Sequence, residues 1–237
     1  MKIFDTYDLE ARVSVVIILL TPILIPLYLQ VDTIRTIAAT AVISVTLSAA
    51  AILFVVCIRK RGKKAHTKRD LVAEYLYPDN DKIEAAVKER LYHHLATVDP
   101  YFSILLEKKE ERPIGAEYKN VCKSALNWLK ENSRESNIIN KENAMYGFCR
   151  NLFAVKGYGI TICIVMIIAH IVQYSVQFQC DFTRINLEFL ISFAVVVVYL
   201  LIWVIAVRKS LIDFSAENYA DALIRSFDKK SQTKSNK

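Results

Sequence analysis

Four long apolar blocks constrain the fold of this chain more than any other feature of its sequence. They run over Val13–Val31, Ile34–Ile58, Tyr158–Phe178 and Leu187–Val207. Each has roughly 19–25 residues, the length that a helix needs to cross the ~30 Å hydrocarbon core of a bilayer. Their interiors carry no Asp, Glu, Lys or Arg, since Arg35 and Glu188 stand only at the second position of their blocks. We therefore predict an all-α membrane protein with four transmembrane helices.

The distribution of Lys and Arg predicts the topology. Residues 59–156 hold 20 Lys+Arg against 14 Asp+Glu, and residues 208–237 hold 7 against 4. The connections Asp32–Arg35 and Gln179–Asn186 carry one cation each. Because cytoplasmic loops retain Lys and Arg, we expect both termini and the long insert to be cytoplasmic.

This topology divides the chain into four parts. We predict an N-terminal transmembrane hairpin over 1–58 and a helical cytoplasmic domain over 59–156, inserted between the second and third spans. A C-terminal transmembrane hairpin over 157–207 and a cytoplasmic helix and tail over 208–237 follow. We expect the first block to be retained as a span, because a second follows it almost at once.

Several polar or helix-breaking residues lie inside the apolar blocks. Thr36, Thr40, Ser44 and Ser48 are spaced by four and share one helix face. They suit close helix packing in lipid, or Thr40, Ser44 and Ser48 line a pore in an oligomer. Pro22 and Pro26 indicate a bend or a gating hinge. His170 is either a neutral, hydrogen-bonded residue between helices or a functional group.

The cytoplasmic insert opens with seven cations in residues 59–69, which suit phospholipid headgroups or another anionic ligand. Amphipathic helices are predicted after it. Asp81 and Glu84 have capping-box spacing, Tyr118 to Leu129 give a second apolar face, and Asn140 is expected to cap a third helix. The fourth span is expected to continue into the tail. The apolar face of that tail comprises Ala216, Tyr219, Leu223 and Phe227.

Catalytic motifs are not found in the sequence. It has no phosphate-binding loop, no G-x-S-x-G and no H-E-x-x-H. His93 and His94 are adjacent, so on a helix they point about 100° apart and cannot share a metal. We therefore predict neither enzymatic activity nor a metal or cofactor.

One stretch resembles a known family. The residues that carry the resemblance are Tyr118, Trp128, Leu129, Arg134, Glu142, Asn143, Tyr146, Gly147, Phe148, Arg150, Asn151, Leu152, Lys156 and Gly159. This block is similar to one that precedes the third span in transmembrane effectors of the Hailong anti-phage system. The resemblance implies an oligomeric ion channel, with a tetramer favoured, in the bacterial inner membrane. It also implies closure by a DNA oligomer or nucleotide that a partner nucleotidyltransferase makes.

The resemblance and the charge pattern together select candidate ligand-binding residues. These are Arg59, Lys60, Arg61, Lys63, Lys64, Arg134, Arg150 and Lys156. Ser133 and Cys149 depart from the family pattern, which has Thr and a second cation there. The glycine-rich stretch from Glu142 to Ile160 is either an interfacial anchor with a helix break or an element that couples the cytoplasmic domain to the span. The alternative function is a non-conducting scaffold that recruits a soluble partner through residues 70–145.

Overall fold

The computed structural model describes residues 6–30 and 71–235, and every regular element in these ranges is helical. The longer helices are α1 (Leu9–Gln30), α2 (Ala85–Val98), α3 (Ala116–Glu131), α4 (Asn137–Ala154), α5 (Lys156–Gln177), α6 (Leu187–Ala206) and α7 (Lys209–Ser235). Short helical turns cover Thr6–Asp8, Leu71–Glu74, Pro100–Ser103, Ile104–Glu107 and Phe182–Arg184. The second apolar block, Ile34–Ile58, lies outside the described residues.

Three described helices are long and apolar enough to cross a membrane. They are α1, α5 and α6, with mean hydropathies of 2.2, 2.0 and 2.9. No more than 28% of the apolar window of any of them is buried within the protein. Surfaces this apolar require apolar surroundings, so the prediction of a helical chain with membrane-type helices is confirmed for the first, third and fourth blocks. Pro22 and Pro26 lie buried inside α1, which continues through both.

The membrane-type helices form one compact unit from residues 6–30 and Gly147–Lys209. At one end of this unit, Asn151 contacts Ala11 and Lys156 contacts Val207. At the opposite end, Gln30 contacts His170 and Ser192. The starts of α1 and α5 therefore share an end with the finish of α6, as two spans joined by a short hairpin require.

A second compact unit consists of residues 71–146 and the described residues from Ser210 onward. Its core includes Leu76, Leu95, Leu105, Leu129 and Leu223, each under 2% exposed. The predicted apolar face of α7 is confirmed, because Ala216, Tyr219, Leu223 and Phe227 are all buried. Trp128 of α3 packs its ring against Phe227 with centroids 5.4 Å apart, which joins α3 to α7.

Three local predictions are wrong. The helix after Asp81 begins at Ala85, and its N-cap residue Glu84 makes no side-chain capping bond, so no capping box forms. Asn140 lies inside α4, where its amide donates back to the Arg134 carbonyl over 2.9 Å. The fourth span does not run on into the tail, because Val207 leaves helical geometry with ψ of 88° and α7 starts anew at Lys209.

Burial of the Cys122 thiol in the second unit predicts that the folded protein becomes less stable at alkaline pH. Burial raises the pKa of Cys122 from 9.0 to about 12, so the unfolded chain loses this proton at a lower pH than the folded chain does. Stability should fall as pH rises above about 9, by about 1 kcal/mol at pH 10 from this thiol. Thermal unfolding of Cys122→Ala in detergent should be less sensitive to the change from pH 8.5 to 10. Parallel curves for the variant and the parent protein would contradict this assignment.

Candidate functional site

Residues Gly147–Gly159 comprise the end of α4, Val155 and the start of α5, and they contact both of the other membrane-type helices. We call this segment and its partners the juxtamembrane clamp. Its partners are two π turns, Leu9–Val13 at the start of α1 and Ile202–Ala206 at the end of α6. Such π turns within α-helices occur frequently at functional sites. All of the contacts below lie within the first unit.

The first half of the segment Gly147–Gly159 contacts the π turn of α1. Asn151 is 1% exposed, and its side-chain amide donates to the Ala11 carbonyl over 2.8 Å. One helical turn earlier, Gly147 lies against Tyr7 and Ala11. A Cβ at Gly147 would lie 3.0 Å from Tyr7 Cζ and 3.1 Å from Ala11 Cβ, closer than normal packing allows. The Tyr7 ring in turn lies beside the Arg12 guanidinium, 5.1 Å from its centroid.

The second half of the segment Gly147–Gly159 contacts the π turn of α6. The Lys156 ammonium donates to the Val204 and Val207 carbonyls over 3.3 and 2.8 Å. These carbonyls end α6 and lack intrahelical donors, so the ammonium satisfies groups that would otherwise be costly in apolar surroundings. Gly159 lies directly under the fully buried indole of Trp203, and a Cβ there would come within 2.6 Å of Trp203 Cζ2.

The glycines of this segment serve close packing rather than unusual backbone conformation. None of the described glycines has a positive φ, and Gly157 and Gly159 both lie inside α5 rather than at a helix break. The change of direction falls instead at Val155, with φ of −104° and ψ of 3°, between the last residue of α4 and the first of α5. Gly157 faces open space, and nothing in the structure explains its identity.

The buried polar atoms of the clamp include one on Asn151 and one on Trp203 that have no hydrogen-bond partner among the described residues. They are the Asn151 side-chain oxygen and the Trp203 indole nitrogen, both buried. Buried polar atoms are rarely left unsatisfied, so these two atoms weaken the packing that they belong to. The clamp is therefore well packed in its apolar contacts and incompletely satisfied in its polar ones.

The predicted ligand-binding residues fall in different parts of the structure. Lys156 and the half-buried Arg150 lie on the clamp segment. Arg134 is exposed in the turn after α3 and belongs to the second unit. The remaining ligand-binding candidates lie outside the described residues; they are Arg59, Lys60, Arg61, Lys63 and Lys64. The three predicted pore-lining residues, Thr40, Ser44 and Ser48, also lie outside the described residues.

The excess positive charge of the insert comes from its two ends. Residues 71–146 hold 11 Lys+Arg and 13 Asp+Glu, so this helical part is slightly acidic. Seven cations lie in residues 59–69, and Arg150 and Lys156 lie at the other end of the insert. An anion drawn by charge would therefore approach the ends of the insert that adjoin the apolar blocks.

A second polar cluster joins all three membrane-type helices at their other end. His170 is 3% exposed, and its Nδ1 lies 2.7 Å from the Met166 carbonyl, which can only accept, so Nδ1 carries the proton. Its Nε2 then accepts from the Gln30 amide over 3.2 Å. Gln30 also donates to Ser192 Oγ, whose hydroxyl can donate to the Phe189 carbonyl over 2.9 Å. The geometry favours a neutral, hydrogen-bonded histidine.

Sequence reasoning singled out His170 but neither of its partners. Gln30 and Ser192 lie 140 and 22 residues away along the chain. Polar residues near the ends of apolar blocks are the signal that could have identified them, because a hydrogen-bonding group in lipid needs a partner on a neighbouring helix. Among residues 6–30 and 71–235, no group of three or more His, Cys, Asp or Glu residues could hold a metal ion.

Comparison of the chain with protein-family models, with curated proteins and with solved structures finds no match in any of the three. The features that bear on function are therefore the geometry of the clamp, the charge distribution and the resemblance of the segment from Tyr118 to Gly159.

The two glycines of α5 give a matched test of the clamp. Gly159→Ala should force Trp203 away and lower the free energy of unfolding by about 1–3 kcal/mol, because overpacking a tight contact is destabilising. Gly157→Ala is the control, since its Cβ enters open space and alanine favours a helix by up to about 1 kcal/mol. Thermal unfolding in detergent measures both. Equal midpoints for the two variants would show that Gly159 and Trp203 are not in tight contact.

Proposed function

We propose that this chain is the subunit of an oligomeric ion channel, a tetramer, that acts in bacterial anti-phage defence. In this proposal, four helices cross the inner membrane, and both termini and residues 59–156 lie in the cytoplasm. A nucleotide or DNA oligomer made by a partner nucleotidyltransferase binds the basic ends of the insert and holds the channel closed. Loss of that ligand during infection opens the channel. The observation that carries the proposal is the juxtamembrane clamp.

The clamp supports gating because it joins a candidate ligand-binding segment to two membrane-type helices. Gly147 and Gly159 are in such close contact with Tyr7 and Trp203 that the segment has no room to move without moving them. Asn151 and Lys156 add hydrogen bonds to the ends of α1 and α6. A ligand that favours one position of the segment would therefore shift the population of the helix arrangements. This favours the coupling role over a simple interfacial anchor.

The charge distribution supports an anionic ligand. Arg150 lies on the clamp segment itself, and residues 59–69 directly follow the second apolar block. Arginine and lysine bind phosphate oxygens through charge-assisted hydrogen bonds. Lys156 is already bonded to two carbonyl oxygens, so we assign it to the clamp, with ligand contact as a second role.

A non-conducting scaffold remains the second candidate, and one observation favours it. Ile138 and Met145 of α4 are 70% and 52% exposed on the second unit. Ile138 also lines an open groove of about 540 Å³, together with Glu142 and Arg225. Exposed apolar side chains next to charged ones are typical of protein-binding surfaces, which suits the recruitment of a soluble partner through residues 70–145.

Neutralising Arg134 and Arg150 tests the ligand assignment. The Arg134→Gln/Arg150→Gln double variant should lose binding to short single-stranded DNA, by about tenfold or more for each charged contact removed. It should also be toxic when expressed, because the channel is no longer held closed. Lys123→Gln, which removes an exposed cation from α3, is the control and should bind normally. Fluorescence anisotropy with a labelled random DNA oligomer measures the affinity, and unchanged binding by the double variant would reject the assignment.

Ion flux separates the channel from the scaffold. Liposomes that contain only this protein should release a trapped ion, and added DNA oligomer should slow the release. A scaffold conducts nothing with or without the oligomer.

Purification from cells with and without the partner nucleotidyltransferase, followed by mass spectrometry, should recover an oligonucleotide only when the enzyme is present.

A further inference from the structure

We propose that the end of the protein formed by the loop between α5 and α6 holds one phospholipid molecule, with an acyl chain in an aromatic pocket and its phosphate beside Arg184. This site is separate from the juxtamembrane clamp, and it does not depend on conduction. It requires only that α5 and α6 lie in a membrane.

The pocket has the chemistry of an acyl-chain site. Its volume is about 240 Å³, below the range of most sites for drug-sized ligands. The rings of Tyr174, Phe182, Phe189 and Phe193 line it together with Ile185 and Leu190, and the lining exposes no polar atoms. His170 contributes to the wall, but both of its ring nitrogens already have partners. Water gains no hydrogen bonds in such a pocket, so an apolar occupant is favoured.

The wall of the pocket is held in shape by hydrogen bonds outside its apolar lining. The Tyr174 hydroxyl donates to the Cys180 carbonyl over 2.7 Å, and the Cys180 amide donates back to the Tyr174 carbonyl over 3.3 Å. At the other side, Asn186 accepts from the Phe189 amide over 2.9 Å and caps α6. The Tyr174 and Phe182 rings then lie 5.2 Å apart. The pocket is therefore preformed, which lowers the entropic cost of binding a chain.

Arg184 supplies a positively charged hydrogen-bond donor for a phosphate. It lies on the turn Phe182–Arg184, directly between the pocket residues Phe182 and Ile185. Its guanidinium contacts Asp181 Oδ2 at 3.2 Å through Nε and Gln179 Oε1 at 2.9 Å through Nη1. Its side chain is 57% exposed, and Nη2 makes no hydrogen bond to any described residue. Thr183 donates to Asp181 and lowers the pKa of that carboxyl, so Asp181 stays ionised and fixes the guanidinium.

The surroundings of the pocket favour a lipid as the source of the chain. Ile171 on α5 and Leu190 on α6 are 56% and 51% exposed at its rim. Both helices have the length and hydropathy of membrane spans, so the rim faces acyl chains. Tyr174 and Phe182 near the helix ends also match the aromatic residues that sit at headgroup level. A chain in the pocket places its glycerol and phosphate at the turn that carries Arg184.

Photocrosslinking tests the acyl-chain contact. The full-length protein is placed in vesicles of phosphatidylethanolamine and phosphatidylglycerol with a trace of phosphatidylglycerol that carries a diazirine in one acyl chain. Irradiation and mass spectrometry should find labels concentrated on residues 171–193. Leu190→Trp fills the pocket and should lower this labelling at least about fivefold, since its indole occupies the site of the chain. Val198→Trp is the control, because Val198 is equally exposed, at 51%, on the same helix.

The outcomes decide the two halves of the proposal. Even labelling along α5 and α6, or equal labelling of Leu190→Trp and the parent protein, would overturn the acyl-chain site. Arg184→Gln should lower labelling by the phospholipid probe and leave labelling by a diazirine diacylglycerol, which has no phosphate, unchanged. Equal loss or no loss with both probes would overturn the phosphate contact. Folding of each variant is checked by its thermal unfolding midpoint in detergent.

Discussion

The need to satisfy backbone carbonyls at the ends of apolar helices governs this structure. In lipid, a carbonyl without a donor costs several kcal/mol, and a helix that finishes in a π turn presents such carbonyls. The Lys156 ammonium donates a hydrogen bond to the Val207 carbonyl at the end of α6, and the Asn151 amide donates one to the Ala11 carbonyl in the π turn of α1. One short segment thus stabilises two helices that are far apart in sequence, and the packing of the first unit depends on it.

In the proposed channel, close packing would let this segment transmit motion to the helices that it contacts. Gly147 and Gly159 lack the Cβ atoms that would separate the helices, so Tyr7 and Trp203 lie directly on the backbone. Cores packed this tightly change between discrete arrangements rather than deforming gradually. The buried Asn151 oxygen and Trp203 indole nitrogen have no hydrogen-bond partner among the described residues. The polar cluster of Gln30, His170 and Ser192 joins the same three helices at their other end.

Sequence patterns predicted the helices well and their contacts poorly. The first, third and fourth apolar blocks match α1, α5 and α6, because block length and hydropathy are properties of local sequence. The pairing of Gly159 with Trp203 joins residues 44 positions apart, and the π turns leave no signal in composition, so neither could be inferred. The Asp81–Glu84 spacing failed as a cap because α2 begins only after Glu84. Arg150 lies near the end of α4 and Lys156 is the first residue of α5, but the carbonyl partners of Lys156 follow from tertiary packing alone.

In the proposed topology, the loop between α5 and α6 and the insert between the second and third apolar blocks lie on opposite sides of a membrane. Thiol labelling of spheroplasts measures this most directly. In one variant, the exposed Cys180 is the single cysteine, and in another, Lys123→Cys is introduced into a cysteine-free chain. A membrane-impermeant maleimide should label the Cys180 variant in intact spheroplasts and the Lys123→Cys variant only after permeabilisation. Labelling of both variants, or of Lys123→Cys alone, in intact spheroplasts would contradict the account.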